Sequence, residues 1–299
     1  MSSGGLALEW IGQAAARIVV GAPENRLPGF PGLSVFDAPL VACADGDDPV
    51  FDELRRAAGP RHLHPRAVLD GRLRSGGSGT RVSVIAWALP FSAEVRASNR
   101  GAGWPSRLYS LARNRGQAVN DRLGRALANM LRTGGWAAVA PVLTKDYDIF
   151  HAPDLVYTST WSERHVAFAA GLGRFGLNGS LITARGSHVR LGSIVTNLAL
   201  AATPRAGSPF APCLSQGAEV CGHCLERCPV EAVGRGGLDK KKCNARRKEI
   251  GARNAASLQG TPRLKRFQLP IDGVRRWTYP LGCALCQCGV PCEAEDPFS

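Results

Sequence analysis

Nine of the ten cysteines of this 299-residue chain fall between Cys213 and Cys292. Sulfur at that density serves either as disulfide staples in an exported domain or as soft ligands for a metal centre. The N-terminal stretch MSSGGLALEWIGQAAARIVVG has no basic segment before its apolar residues and no twin-arginine pair. A cytoplasmic chain is therefore expected, where thiols stay reduced and metal binding or catalysis is their use.

The spacing narrows the metal. The run CGHCLERCPVEAV supplies Cys221, Cys224 and Cys228-Pro229, the last three cysteines and the proline of the C-x2-C-x2-C-x3-C-P run with which bacterial ferredoxins hold two cubane clusters. Cys213 departs from that run, standing seven intervening residues upstream instead of two. Two [4Fe–4S] clusters need eight thiolates, and in such a run the cysteine before proline serves the other cluster. The expected sets are Cys213, Cys221, Cys224 and Cys292, and Cys228, Cys243, Cys283 and Cys286. Cys288 competes with Cys292; ferredoxin-like spacing would put the last ligand at Val290, so the sequence leaves that choice open. A zinc could use the pairs 221–224 and 283–286, but it would occupy only four of nine thiolates and give the Cys-Pro no role. Cys43 stands alone and reads as a small buried hydrophobe. His62 and His64 in RHLHPR have no third candidate ligand nearby and read as part of a surface loop.

Upstream of about Pro204 strand-like and helix-like segments alternate. RVSVIAWALPF is expected as a buried strand, Pro105 to Thr133 as an amphipathic helix, WAAVAPVL (136–143) as a short strand and 184–201 as a returning strand. Thr160 is expected to cap a helix over SERHVAFAAG with Glu163 as its reciprocal partner. The spacing Gly171-x-Gly173-x-x-Gly176 matches a dinucleotide fingerprint, but that fingerprint needs strand, loop and then helix. Here the glycines follow a helix, whose C-terminal dipole repels phosphate, so a glycine turn is expected instead of a Rossmann site. The expected fold class is α+β: an α/β domain over 1–203 and a ferredoxin-like double-cluster domain over 204–299.

Hydrophobic content of 44% and charged content of 20% are those of a globular protein, and no apolar run is long enough to span a membrane. The net charge of +13 is concentrated: between Asp239 and Arg276 there are twelve Lys/Arg against three Asp/Glu. Such a surplus either faces a polyanion or is a solvated surface that offsets metal–thiolate charge, and the second reading is preferred.

The segments ERHVAFAAGLGRFGLNGSLIT, GSHVRLGSIVTNLAL, CGHCLERCP, LDKKKC and CALCQ resemble, in order and spacing, those of epoxyqueuosine reductases and the related reductive dehalogenases. The resemblance covers about residues 80 to 292. It implies a nitroreductase-like domain binding cobalamin without a lower ligand from the protein, fed with electrons through two [4Fe–4S] clusters, and reductive cleavage of a carbon–oxygen or carbon–halogen bond. It implies corrin contacts at Gly171, Gly173, Gly176, Asn178, Ser180 and Leu181, with FMN as a lesser alternative to the corrin. Epoxyqueuosine reductases carry an aspartate as proposed proton donor where VYTSTWSER has Tyr157; reductive dehalogenases use a tyrosine, so Tyr157 is the expected proton donor. The chain ends seven residues after Cys292, without the helical-repeat extension associated with tRNA. The expected partners are accordingly a small organic substrate and reduced ferredoxin or flavodoxin as electron donor, with tRNA possible but not favoured and no membrane. An electron-transfer protein without corrin is the alternative from another class.

Overall fold

The computed structural model describes residues 3–71, 80–152, 156–210, 213, 221–257, 267–278 and 282–297. In chain order its elements are α1 (Ser3–Gly21), β1 (Leu40–Asp45), α2 (Val50–Ala58), α3 (Pro65–Asp70), β2 (Ser83–Pro90), α4 (Ala93–Ser98), α5 (Arg107–Thr133), β3 (Ala138–Val139), β4 (Ile149–Phe150), β5 (Thr158–Ser159), α6 (Glu163–Ala169), β6 (Gly173–Phe175), β7 (Leu181–Thr183) and β8 (Val189–Thr196). There follow α7 (His223–Glu226), β9 (Val233–Gly234), β10 (Gly237–Leu238), α8 (Lys240–Ser257), β11 (Phe267–Ile271) and β12 (Val274–Thr278).

The central sheet has the order β1-β2-β8-β3 and is antiparallel throughout. Every residue of β2 is buried, because the sheet is covered on both faces. Strand alternation sends Ile85, Trp87 and Leu89 to the face under α1 and α5, and Val84, Ala86 and Ala88 to the face under α2 and α6. Trp87 lies opposite Gly192 of β8, where a Cβ would stand 2.5 Å from the indole. The missing side chain makes room for the ring, whose Nε1 donates to Asn120 Oδ1 at 2.7 Å.

The long helix begins where expected: Ser106 Oγ accepts from the Tyr109 backbone N–H, and Leu111, Val119, Leu123, Leu127 and Leu131 form its buried stripe. Each such side chain contributes about 1.5–3 kcal/mol on burial. The segment 136–143 gives only the two-residue β3, because Pro141 has no N–H for the ladder and opens a 3-10 turn. Thr160 does not cap α6; its hydroxyl donates to Asp146 O and accepts from Asp148 N–H, while Glu163 turns to Ser193. Ser162 takes the N-cap position.

A second sheet has the order β12-β11-β4-β5 and crosses the boundary drawn at residue 204. The β11–β12 hairpin lies in sequence between Cys243 and Cys283, yet Ile271 pairs in parallel with Ile149, far upstream of residue 204. Part of the basic segment, 258–266, lies outside the described residues. Among the described residues no helix is long and apolar enough to cross a membrane.

Candidate active site

Eight cysteines fall into two groups. Cys213, Cys221, Cys224 and Cys292 line one small recess of about 20 Å³. Burial, with the neighbouring Cys213, Cys292 and Cys221, pushes the Cys224 thiol up to about 12. Cys228, Cys243, Cys283 and Cys286 line a larger cavity, and burial followed by the other three thiols raises Cys286 as well. Four neighbouring thiols that repel one another as thiolates would be held ionised by a cationic centre among them. Among the described residues no three His, Cys, Asp or Glu side chains close on a single-ion geometry. In a zinc site sulfurs at about 2.3 Å from the metal crowd one point, whereas a cluster sets its irons between them.

Cys288 stands outside both groups. It is fully buried, with Sγ 3.3 Å from His188 Nδ1 and 3.6 Å from Asn99 Nδ2. The structure thus places Cys292, whose thiol meets Ser187 Oγ, with the outer set. Cys43 is buried in the core, as expected. His62 is not on a surface loop: it is buried, stacks on Trp161 with ring centroids 5.6 Å apart, and its Nε2 accepts from Ser162 N–H. Burial holds it neutral, with its pKa lowered to about 4. His64 Nδ1 accepts from Arg66 N–H at the start of α3.

The larger cavity has a volume of about 490 Å³, inside the range of about 300–1,000 Å³ usual for ligand clefts. Its floor carries the inner thiol set and its walls come from α5, the β4–β5 hairpin, the start of α6 and α8. Tyr157 lines it, following Val156, whose φ of 62° is a left-handed conformation that a β-branched residue adopts only under constraint. Arg113, Arg164, Lys240, Arg246 and Arg247 also line it, and among the described residues no Asp or Glu does. Desolvation pulls Arg164, Lys240 and Arg247 below their ordinary pKa values, and like charges add to this at Lys240 and Arg247. An anion is the natural occupant of such a wall.

The glycine turn serves the chain's own packing. A Cβ on Gly171, whose φ is +81°, would lie 2.5 Å from Pro204 O, and one on Gly173 would lie 2.0 Å from Ile182 O. Gly176 packs on Ile182 and Asn178. None of these glycines, nor Ser180 or Leu181, lines the cavity; of the six residues expected at the corrin only Asn178 does. Asn178 Nδ2 donates to Cys286 O, and its Oδ1 accepts from Ser180 N–H and Oγ.

Several lining residues escape the sequence reading. Tyr109 and Tyr147 both face the cavity, their pKa values raised by burial. His165 lies there too, kept neutral by burial and by Arg164, its pKa lowered to about 3. Arg246 and Arg247 follow Cys243 by three and four residues, the helical spacing that puts them on its face. That signal was present in the sequence; the approach of Arg113 and Tyr109 on α5 was not.

No protein-family profile and no curated protein matches the chain. It is similar to the structure of epoxyqueuosine reductase from Streptococcus thermophilus, at 15% identity and a TM-score of 0.51, with 99% of this chain and 68% of that chain covered. A selenomethionine-labelled epoxyqueuosine reductase is 18% identical, with a TM-score of 0.47 and coverage of 99% and 70%. An epoxyqueuosine reductase with an epoxyqueuosine-modified tRNA-Tyr stem loop is 19% identical, with a TM-score of 0.46 and coverage of 83% and 62%. The chain thus spans just under two thirds of the length of that last protein. The Streptococcus structure shows a shared mixed α/β fold, a coarser likeness than the nitroreductase-like domain with a ferredoxin-like module that the sequence resemblance implies. The expectation of a small organic substrate, with tRNA not favoured, is corrected: an epoxyqueuosine reductase to which the chain is similar is seen with a tRNA stem loop.

Proposed function

We propose that this chain is an iron–sulfur oxidoreductase acting on a modified nucleoside of tRNA, with two [4Fe–4S] clusters on the two thiol sets and a cobalamin in the cavity beside the inner set. The carrying observation is the placement of Cys228, Cys243, Cys283 and Cys286 on the floor of a cavity that also holds Tyr157 and five cations. A [4Fe–4S] cluster with four thiolates is anionic and offsets part of that charge; the remainder suits phosphate.

The lining fits a corrin in its chemistry. Asn178, Asn244, Gln287, Ser159 and Ser162 offer partners to carboxamide side chains, and the cations offer them to a nucleotide phosphate. When bound, the clusters supply single electrons and the corrin supplies the two-electron cleavage of a carbon–oxygen bond. Everything else falls to the protein. Tyr157 delivers a proton to the leaving oxygen, a neutral phenol being able to do so without first carrying a buried charge. The exposed Lys241, Lys242, Lys248, Arg275 and Arg276 meet RNA phosphates outside the cavity.

The test is anaerobic reconstitution with iron, sulfide and cobalamin, followed by binding and turnover of an epoxyqueuosine-modified tRNA stem loop. About eight irons and one corrin per chain are expected, with stem-loop affinity falling steeply as salt rises. Full iron loading with neither corrin uptake nor stem-loop binding at low salt would leave an electron-transfer protein and overturn the reading.

A further inference from the structure

His151 and Asp272 form a pair beside Tyr157 that the reading above leaves without a task. The β4–β5 register matches Ile149 with Ser159 and Phe150 with Thr158. One step further puts His151 opposite Tyr157, and their rings are in contact with centroids 4.3 Å apart and planes at 43°. On its other side the imidazole is held at two points: Asp272 Oδ1 accepts from the His151 backbone N–H at 3.0 Å, and Oδ2 pairs with Nδ1 at 2.8 Å.

Asp272 is itself fixed. It sits at the turn of the β11–β12 hairpin with φ of 50°, its N–H donates to Ile149 O at 2.8 Å, and the next residue, Gly273, donates to Asp148 Oδ1 at 3.1 Å. Hydrogen bonds from His151 hold its carboxyl below the usual carboxylate range, so it stays ionised. An ionised acceptor on Nδ1 selects the imidazole tautomer that carries its proton there and leaves Nε2 for exchange. Among the described residues Nε2 has no protein partner. The His151 side chain is 58% exposed, while Tyr157 lines the cavity. The pair therefore spans solvent and site.

We propose that His151, clamped by Asp272, positions the Tyr157 ring and returns a proton to it after each turnover; this rests on the reading of Tyr157 as proton donor. The Tyr157 O–H bond breaks as its proton passes to the leaving oxygen. The phenolate then takes a proton from imidazolium Nε2–H, directly or through one water, and the imidazole takes its replacement from bulk water. The net transfer is one solvent proton to product, with no change in the oxidation state of either side chain.

The experiment compares His151→Ala, Asp272→Asn and Tyr157→Phe in reconstituted holoprotein with the tRNA stem loop. General acid groups contribute about 10²–10⁴-fold, so Tyr157→Phe lowers kcat by at least about 100-fold. His151→Ala lowers kcat by about 10- to 100-fold with KM unchanged, and added imidazole restores much of it, because the vacated position opens to solvent. Asp272→Asn causes a smaller loss in kcat. A loss that imidazole does not restore, or undiminished kcat in His151→Ala while Tyr157→Phe is inactive, overturns this proposal and leaves the reading of Tyr157 standing. Undiminished turnover in Tyr157→Phe overturns that reading instead. A second readout needs no turnover. The chain has four tyrosines, so a ¹³Cζ-tyrosine label gives a signal for Tyr157 that Tyr157→Phe identifies. In His151→Ala that signal shifts while those of Tyr109 and Tyr147 stay; an unmoved signal overturns the positioning role.

Discussion

Asn178 Nδ2 donates a 2.9 Å hydrogen bond to the carbonyl oxygen of Cys286, tying the turn after β6 to the loop that carries Cys283 and Cys286 of the inner thiol set. Replacing Asn178 with Ala leaves that carbonyl without its donor at a cost of about 1–3 kcal/mol. Thermal unfolding of the variant holoprotein is expected several degrees lower, with faster iron loss to a chelator. Iron retention equal to that of the parent would show that the bond does not support the Cys286 loop.

Cys288 and Cys292 should separate cleanly. Cys288 meets His188 and Asn99 in the protein interior, whereas Cys292 shares its recess with Cys213, Cys221 and Cys224. Cys292→Ser is expected to remove about half the iron of a two-cluster protein, and Cys288→Ser to keep all of it. Iron analysis with electron paramagnetic resonance of the reduced protein reads this directly. The reverse pattern would exchange the two assignments.

Gly173→Ala tests what the glycine turn is for. The added Cβ would lie 2.0 Å from Ile182 O, a backbone atom that cannot move without opening the β6–β7 hairpin. Loss of soluble folded protein is expected. Gly12 of α1 has no atom within 4 Å of the same added group, so Gly12→Ala should stabilise by about 0.5–1 kcal/mol. Normal folding of Gly173→Ala would mean that the hairpin tolerates a second register.

Glu163 gives the fold a pH dependence. Burial raises its pKa from 4.5 to about 7, only partly countered by the hydrogen bond from Ser193 Oγ, and its Oε1 has no partner among the described residues. The fold prefers the neutral acid. The stability it contributes is therefore fully present below the ordinary carboxyl pKa and is lost as pH rises through about 7. The whole effect is of the order of ~3 kcal/mol. Glu163→Gln should melt several degrees above the parent at pH 8 and lose that advantage near pH 5. Parallel melting curves across that range would show that Glu163 is ionised throughout.

Local chemistry was legible in the sequence. Cys-Pro at 228–229 and the ferredoxin order pointed to two sets of four thiols with Cys288 and Cys292 left competing for one place, and the apolar spacing of α5 and the continuous run of β2 gave the central layers. Contacts set by distant chain segments were not legible. Nothing in HAPD or PIDGV announces that His151 will meet Asp272, because two short strands pair here through one residue each, Ile149 and Ile271. Thr160 and Glu163 carried a good capping pattern, but Asp146, Asp148 and Ser193 offered their side chains better partners. The cation wall was hidden for the same reason: Arg113 comes from α5 and Arg164 from α6, elements whose faces the packing chooses.

The hairpin that holds His151 lies in sequence between Cys243 and Cys283, members of one thiol set. Iron joining those thiols closes a loop of about forty residues, and closing a loop of that length restricts the open chain much as a disulfide would, by about 2–4 kcal/mol. On the proposed function the inner cluster would then be a staple as well as a wire. Oxygen that dismantles it cuts the electron supply and, in the same event, slackens the strand on which Asp272 rests. Inactivation in air should accordingly leave a protein that has lost its order around Tyr157 before its central sheet begins to melt.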